Sequence, residues 1–243
     1  MGALPSTNVF AVVDNAFDTA FPARLRRRLP LATSQSLYEG RYEGPGLDEI
    51  APTVTQLPDE SKSRHDLLSF LLRETSGKPM LSFVHGVEPV AHLRRQMEAE
   101  DVHGARFIVR FADTRSLDAL LDVFDGVQRD RFSTNVQWWY FRRDGTLQHV
   151  PHAVRPSDSQ EDGPYIFSEL QMRKFDELAH PDALLRFIQT HPHWMGYLTC
   201  LPSQAHASIR AALQTLGSEI AMHDATVMRK IIDELTQANL LIT

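Results

Sequence analysis

Residues 105–141 read ARFIVRFADTRSLDALLDVFDGVQRDRFSTNVQWWYF, and their patterning decides the fold class. Phe107, Val109 and Phe111 alternate with Arg106, Ile108 and Arg110, the period of two expected of a half-buried strand. Leu117, Leu120, Leu121, Phe124 and Val127 then recur at helical spacing and predict a single apolar stripe. Val136 to Phe141 is apolar at both alternating sets of positions, which predicts a strand covered on both sides. The unit reads strand, turn, helix, turn, strand. A charged knot, Arg110-Phe111-Ala112-Asp113-Thr114-Arg115, sits where the first strand meets the helix.

Working outward, Val9 to Val13 is a short apolar run that predicts a buried strand. Phe17 to Leu29 predicts a helix whose basic end, Arg24, Arg26, Arg27 and Arg28, complements the negative pole of the helix dipole. Ser36 to Tyr42 and Thr53 to Leu57 are short candidate strands. Arg64 to Glu74 carries Leu67, Leu68, Leu71 and Leu72 at helical spacing and stops at Ser76-Gly77. Met80 to Val84 predicts a strand and Val90 to Glu100 a helix. This alternation predicts an α/β or α+β lobe over residues 8–150, a mixed sheet with flanking helices. Residues 151–167, rich in proline and acidic side chains, read as a linker. Residues 168–243 read as a helical lobe with helices over 168–179, 181–190, 202–216 and 223–238, Ser168 capping the first and Pro181 starting the second.

Composition bounds the function. A chain of 243 residues, 42% hydrophobic, buries roughly 70–75% of its unfolded surface and needs neither disulfide nor metal for stability. A formal net charge of −6 disfavours the broad basic footprint of a nucleic-acid binder. The single cysteine, Cys200, allows no intramolecular disulfide and fits a reducing cytosol. The opening Met-Gly-Ala-Leu-Pro lacks the basic and apolar regions of a secretory signal, and no apolar run approaches the roughly 20 residues of a membrane span. A cytoplasmic protein is the expectation.

Candidate chemistry is sparse. Asp113 between Arg110 and Arg115 is the sharpest constellation, but guanidinium neighbours stabilise an ionised carboxylate and make it a poor general acid. The alternative is that Asp113 or Thr114 caps the next helix while the arginines pair with nearby carboxylates. His191 and His193, with His180, His206 or His223, resemble metal bait, yet no carboxylate or thiolate follows at tight spacing. Pro192 instead suggests a helix end. Cys200 lies in an apolar Tyr-Leu-Thr-Cys-Leu segment that suits a packed thiol better than a nucleophile. There is no Gly-x-Ser-x-Gly elbow, Gly-x-Gly-x-x-Gly loop or Walker loop. The reading is a protein with no catalytic residue, metal or cofactor, acting by binding other proteins. Trp139, Phe141, Tyr165 and Trp194 are the candidate docking side chains.

The knot, together with the helix and strand C-terminal to it, resembles the effector adaptor/chaperone family of bacterial type VI secretion (Tap/TEC-type), formerly a domain of unknown function. The matching residues are Arg110, Phe111, Asp113, Arg115, Leu117, Leu120, Leu121, Gln128, Phe132 and Trp138, with weaker matches at Ala11 to Asp14, Ala51 to Leu57 and Val87 to Met97. Ala112 stands where the family commonly has an aromatic residue, and Thr114 where it has proline. The resemblance implies a bacterial cytoplasmic adaptor that binds a cognate toxic effector and assists its loading onto the VgrG spike, with no nucleic acid or membrane as partner. It implies a structural role for Arg110, Phe111, Asp113 and Arg115, and docking of the effector on the mixed lobe, whose sheet edges suit an extended segment. The alternatives are a small cytosolic enzyme with its site around Asp113, and an immunity protein that blocks a toxin.

Overall fold

The computed structural model describes residues 4–153, 163–216 and 225–242, and the chain divides into two units at Gln171/Met172. The first unit opens with β1 (Val9–Val13), a short 3-10 turn (Asn15–Phe17), α1 (Phe21–Arg28), β2 (Ser34–Ser36), α2 (Leu47–Ile50), β3 (Thr53–Gln56) and α3 (Ser61–Glu74). It continues through β4 (Leu81–Gly86), α4 (Pro89–Arg95), β5 (Glu98–Asp101), β6 (Arg106–Ile108), α5 (Thr114–Val123), α6 (Gly126–Ser133), β7 (Val136–Phe141), β8 (Leu147–Val150) and β9 (Tyr165–Phe167). Six strands form one sheet in the order β2-β3-β1-β4-β7-β8, and every pairing in it is antiparallel. The architecture is therefore mixed, with helices on an antiparallel sheet.

Both faces of this sheet are covered. On one face Val9, Ala11 and Val13 join Leu81, Phe83 and Trp139 under Phe21 and Leu25 of α1 and Leu67, Phe70 and Leu71 of α3. On the other, Trp138 is fully buried and packs against Phe111 (ring centroids 5.8 Å apart) and Phe132 (5.0 Å, stacked). That arrangement explains why β7 is apolar at successive positions: Trp138 and Trp139 serve opposite layers. At the end of β4, Gly86 lets the Asn135 carbonyl approach so closely that any Cβ would collide with it.

The two strands of the deciding stretch lie in different sheets. β7 is internal to the large sheet, whereas β6 pairs with β5 in a small sheet ordered β6-β5-β9. The predicted helix over Val90 to Glu100 ends at Arg95, and Glu98–Asp101 is strand β5. Buried Met97 and Ala99 give that segment an inward face at strand spacing, and pairing with β6 and β9 overrides its helical propensity. The single stripe predicted from Leu117 to Val127 is two helices. α5 stops at Phe124, and Asp125 caps α6 through a reciprocal pair of bonds with Gln128, which leaves Val127 exposed. Of the residues read as a linker, Tyr165–Phe167 is strand β9, and 154–162 lie outside the described residues. Tyr165 and Phe167 are buried, so β9 belongs to the core of the first unit.

The second unit holds α7 (Glu169–Thr190, which begins just before the division), α8 (Pro192–Met195), β10 (Tyr197–Leu198), α9 (Pro202–Leu216), α10 (Ala225–Gln237) and β11 (Leu241–Ile242). Leu184, Leu185 and Ile188 of α7 pack with Ala205, Ile209 and Ala212 of α9 and Val227, Ile231 and Leu235 of α10. Two departures from the all-helical expectation stand out. α7 runs unbroken through Pro181, which is buried, despite the lost backbone bond, and β10 pairs with β11. Ser168 does cap α7, its Oγ accepting from the Gln171 amide at 3.3 Å. No described helix is long and apolar enough to cross a membrane.

Phe111→Ala should lower the unfolding free energy by about 3–5 kcal/mol, the cost of emptying an aromatic site in a close-packed core. Urea denaturation monitored by tryptophan fluorescence checks this.

Candidate functional site

The signature residues meet at a corner where β1 ends and α5 begins. Asp14 is buried at 2% exposure directly after β1, and its Oδ1 accepts the Ala16 amide at 3.0 Å. Its Oδ2 accepts Arg110 Nη2 at 2.7 Å across a sequence separation of 96 residues. Asp113, equally covered, caps α5: Oδ1 accepts the Arg115 amide at 3.0 Å and Arg115 Nε at 3.1 Å, and Oδ2 accepts Arg115 Nη2 at 2.8 Å. The two guanidiniums thus serve different carboxylates, and Asp113 is held by one arginine rather than two. Both lie over the Phe17 ring, Arg110 at 5.9 Å and Arg115 at 5.0 Å from its centroid. The Asp113 amide donates to Arg110 O and the Thr114 amide to Pro79 O, fastening the loop to the start of β4.

Each carboxylate oxygen here is engaged by a cap or a guanidinium, and the geometry is that of an architectural clasp. The unassigned members are Asp14 and Phe17. A carboxylate following Val9-Phe-Ala-Val-Val13 without a break was the visible signal, because a charge at the end of a buried strand requires a cation nearby.

Other polar groups also act in packing. Gln128 Nε2 donates to Ile166 O at 2.9 Å, and its Oε1 accepts from Gln171 Nε2 at 2.6 Å, so this signature glutamine holds β9 and the start of α7 to α6. Tyr140 donates to Asp118 Oδ1 at 2.7 Å while Arg142 Nη2 binds Oδ2 at 3.0 Å; burial, then the Asp118 carboxylate, pushes the Tyr140 hydroxyl far above its usual range. Arg24, from the basic end of α1, pairs with Asp18 at 2.7 Å and Glu74 at 3.0 Å, and with Lys78 it holds the Asp18 carboxyl well below the usual carboxylate range.

Of the four candidate docking side chains, three face inward. Trp139 is buried and stacks on His149 at 4.8 Å, Phe141 is half-buried against the same core, and Tyr165 is buried with its hydroxyl donating to Gln96 Oε1. Their strands are covered, so aromatic size there serves the core. Trp194 is 79% exposed in α8. The histidines beside it have separate partners. His191 stacks on Phe187 (4.3 Å) and Trp194 (5.7 Å), while His193 Nδ1 lies 3.4 Å from the Tyr197 hydroxyl. His206 faces Asp182 at 3.8 Å, and His223 lies outside the described residues. Among the described residues, no group of three or more His, Cys, Asp or Glu is placed to hold a metal ion. Cys200 is half-buried, its Sγ 3.6 Å from Leu240 O.

His92 is a buried titratable group beside Phe132. Burial holds its ring below the ordinary value of about 6.5, opposed by an Nε2–H donated to Phe132 O at 3.0 Å and reinforced by Arg95, Arg131 and His152.

The family model described as Domain of unknown function (DUF4123) matches residues 9–131, just over half of the 243-residue chain and the span that contains the whole clasp. No curated protein and no solved structure matches the chain.

Two measurements test these assignments. Asp113→Ala should cost about 1–2 kcal/mol of stability, as loss of a helix cap does, and Asp113→Asn less, because the amide oxygen still caps; chemical denaturation reads both. For His92, the folded-state pKa is lowered, so its contribution is fully present above about 6.5 and is lost as pH falls from there through the folded value. The urea midpoint should therefore drop between about pH 7 and 5 more steeply in the native chain than in His92→Gln.

Proposed function

Because this chain belongs to the DUF4123 family, which is associated with type VI secretion effectors, we propose that it is a cytoplasmic adaptor that binds one toxic effector and delivers it to the VgrG spike. The family match carries this reading, and the chemistry of the matched span supports it. The signature Asp113, Arg115 and Arg110 make bonds that hold β1, β4 and α5 together, which supports a structural role for them. The protein then works through its surfaces, making and breaking no bonds.

The second unit supplies a surface suited to that work. Phe187, Trp194, Tyr197 and Leu201 are exposed at 38%, 79%, 56% and 66% within a stretch, residues 187–209, that contains no Asp, Glu, Lys or Arg. Large exposed aromatic side chains in a charge-poor region are what protein interfaces use as anchors. A hand-off complex of ordinary size buries about 1,200–2,000 Å², enough to shield an effector's apolar segments before loading and still release it.

Co-expression with the toxin encoded beside its gene, followed by size exclusion at micromolar concentration, should give a stable complex, and adding VgrG should give a three-component assembly. Trp194→Ala should weaken one of the two contacts by tenfold or more. A toxin that stays unbound removes the adaptor reading. Neutralisation of the toxin with no recruitment of VgrG replaces it with an immunity protein.

A further inference from the structure

The outer strands of the first unit are not equally available to a partner. On β2 the outward carbonyl of Ser36 already accepts Arg94 Nη2 at 2.7 Å, and on β9 the Ile166 carbonyl accepts Gln128. β6 carries Arg106, a charged edge residue paired with Glu100. Such side chains are how sheets discourage further strand addition. β8, with the sequence Leu-Gln-His-Val, has no formal charge and forms the far edge of the six-stranded sheet.

Its register shows which backbone groups are open. The Arg142 amide donates to Thr146 O at 2.9 Å, so the ladder bonds fall at alternate pairs from there, Tyr140↔Gln148 and Trp138↔Val150. Phe141↔Leu147 and Trp139↔His149 are the intervening pairs, and the amides and carbonyls of Leu147 and His149 point away from β7. Among the described residues, the partner these four groups have is the Gln148 side-chain amide, 3.3 Å from His149 O. The two faces at this edge differ. Leu147 packs on the core and His149 stacks on Trp139, whereas Gln148 is exposed on the side of the Tyr140–Asp118–Arg142 cluster.

We propose that β8 is a docking edge for an extended segment of the secretion effector, which adds to the sheet as a further strand. This rests on the adaptor reading and names the place and chemistry of one of its contacts. Open donors and acceptors two residues apart, about 7 Å along a strand, match an extended backbone that offers both kinds of group in return. A phosphate backbone offers no donors, and β8 offers it no cation. The segment alternates, with apolar side chains over Leu147 and His149 and polar ones over Gln148.

The purified toxin encoded beside the gene is the probe, and amide hydrogen exchange of the full chain is the readout. Toxin should slow exchange at Leu147 and His149 by tenfold or more, while Gln148 and Val150, already in the ladder, stay slow throughout. His149→Pro and Leu147→Pro each delete an outward N–H and leave the ladder bonds in place, and each should weaken toxin binding at least tenfold more than His149→Ala and Leu147→Ala, which lose the same packing but keep the N–H. If bound toxin leaves the Leu147 and His149 amides exchanging as in the free protein, the edge assignment is wrong and the adaptor reading stands. If the native chain binds no toxin, both fall. Protection that appears on raising the protein concentration alone identifies a second copy of this chain as the occupant and overturns the proposal.

Discussion

A buried carboxylate sets the terms for the first unit. Asp14 cannot sit at 2% exposure without a cation, and the cation available is Arg110, which arrives from almost one hundred residues away. Satisfying that one charge draws the stretch leading into α5 against the end of β1. Phe17 then lies under both Arg110 and Arg115, Asp113 caps α5, and the Thr114 amide reaches Pro79 beside β4. Removing Arg110, whose own side chain is half-exposed, would strand the buried Asp14 carboxylate, which is why a polar knot can act as the fastening of an otherwise apolar layered structure.

The antiparallel order of the large sheet has a functional consequence. In a parallel sheet the carboxyl ends of adjacent strands line up and create a crevice for ligands. Here neighbouring strands run in opposite directions, β6 lies in a separate sheet, and the Arg110–Arg115 loop is spent on packing. What such a sheet leaves accessible is its rim. The Ser36 carbonyl of β2 is taken by Arg94, whereas β8 at the opposite edge carries no formal charge, which makes the rim asymmetric. This edge and the charge-poor aromatic stretch of the second unit are the accessible features on which the proposed binding role rests.

Much of this was legible from periodicity. The burial of Arg106 to Phe111 alternates as expected although the strand itself stops at Ile108, the two-sided apolar run of β7 is realised, and the helix predicted over Arg64 to Glu74 is Ser61–Glu74. Where local reading failed, a competing interaction explains it. Val90 to Glu100 has helical spacing throughout, but Met97 and Ala99 are recruited by strand partners, and the helix stops. Pro181 marks a helix start by its backbone chemistry, yet the core of the second unit carries one helix through it. Trp139 and Tyr165 look like docking anchors in a linear sequence because nothing there reveals the layers that cover them.

The sequence by itself determined the elements whose cause is local: strands and helices written in the spacing of apolar side chains, a cap at Asp113 or Thr114, and the family signature that contains both positions. Only the tertiary structure decided which strands are neighbours, which carboxylates Arg110 and Arg115 meet at the corner, and which edge groups lack a partner strand among the described residues. Those outcomes depend on groups distant along the chain meeting in space, and a buried charge or an unpaired amide acquires its meaning only from the partner that does, or does not, arrive.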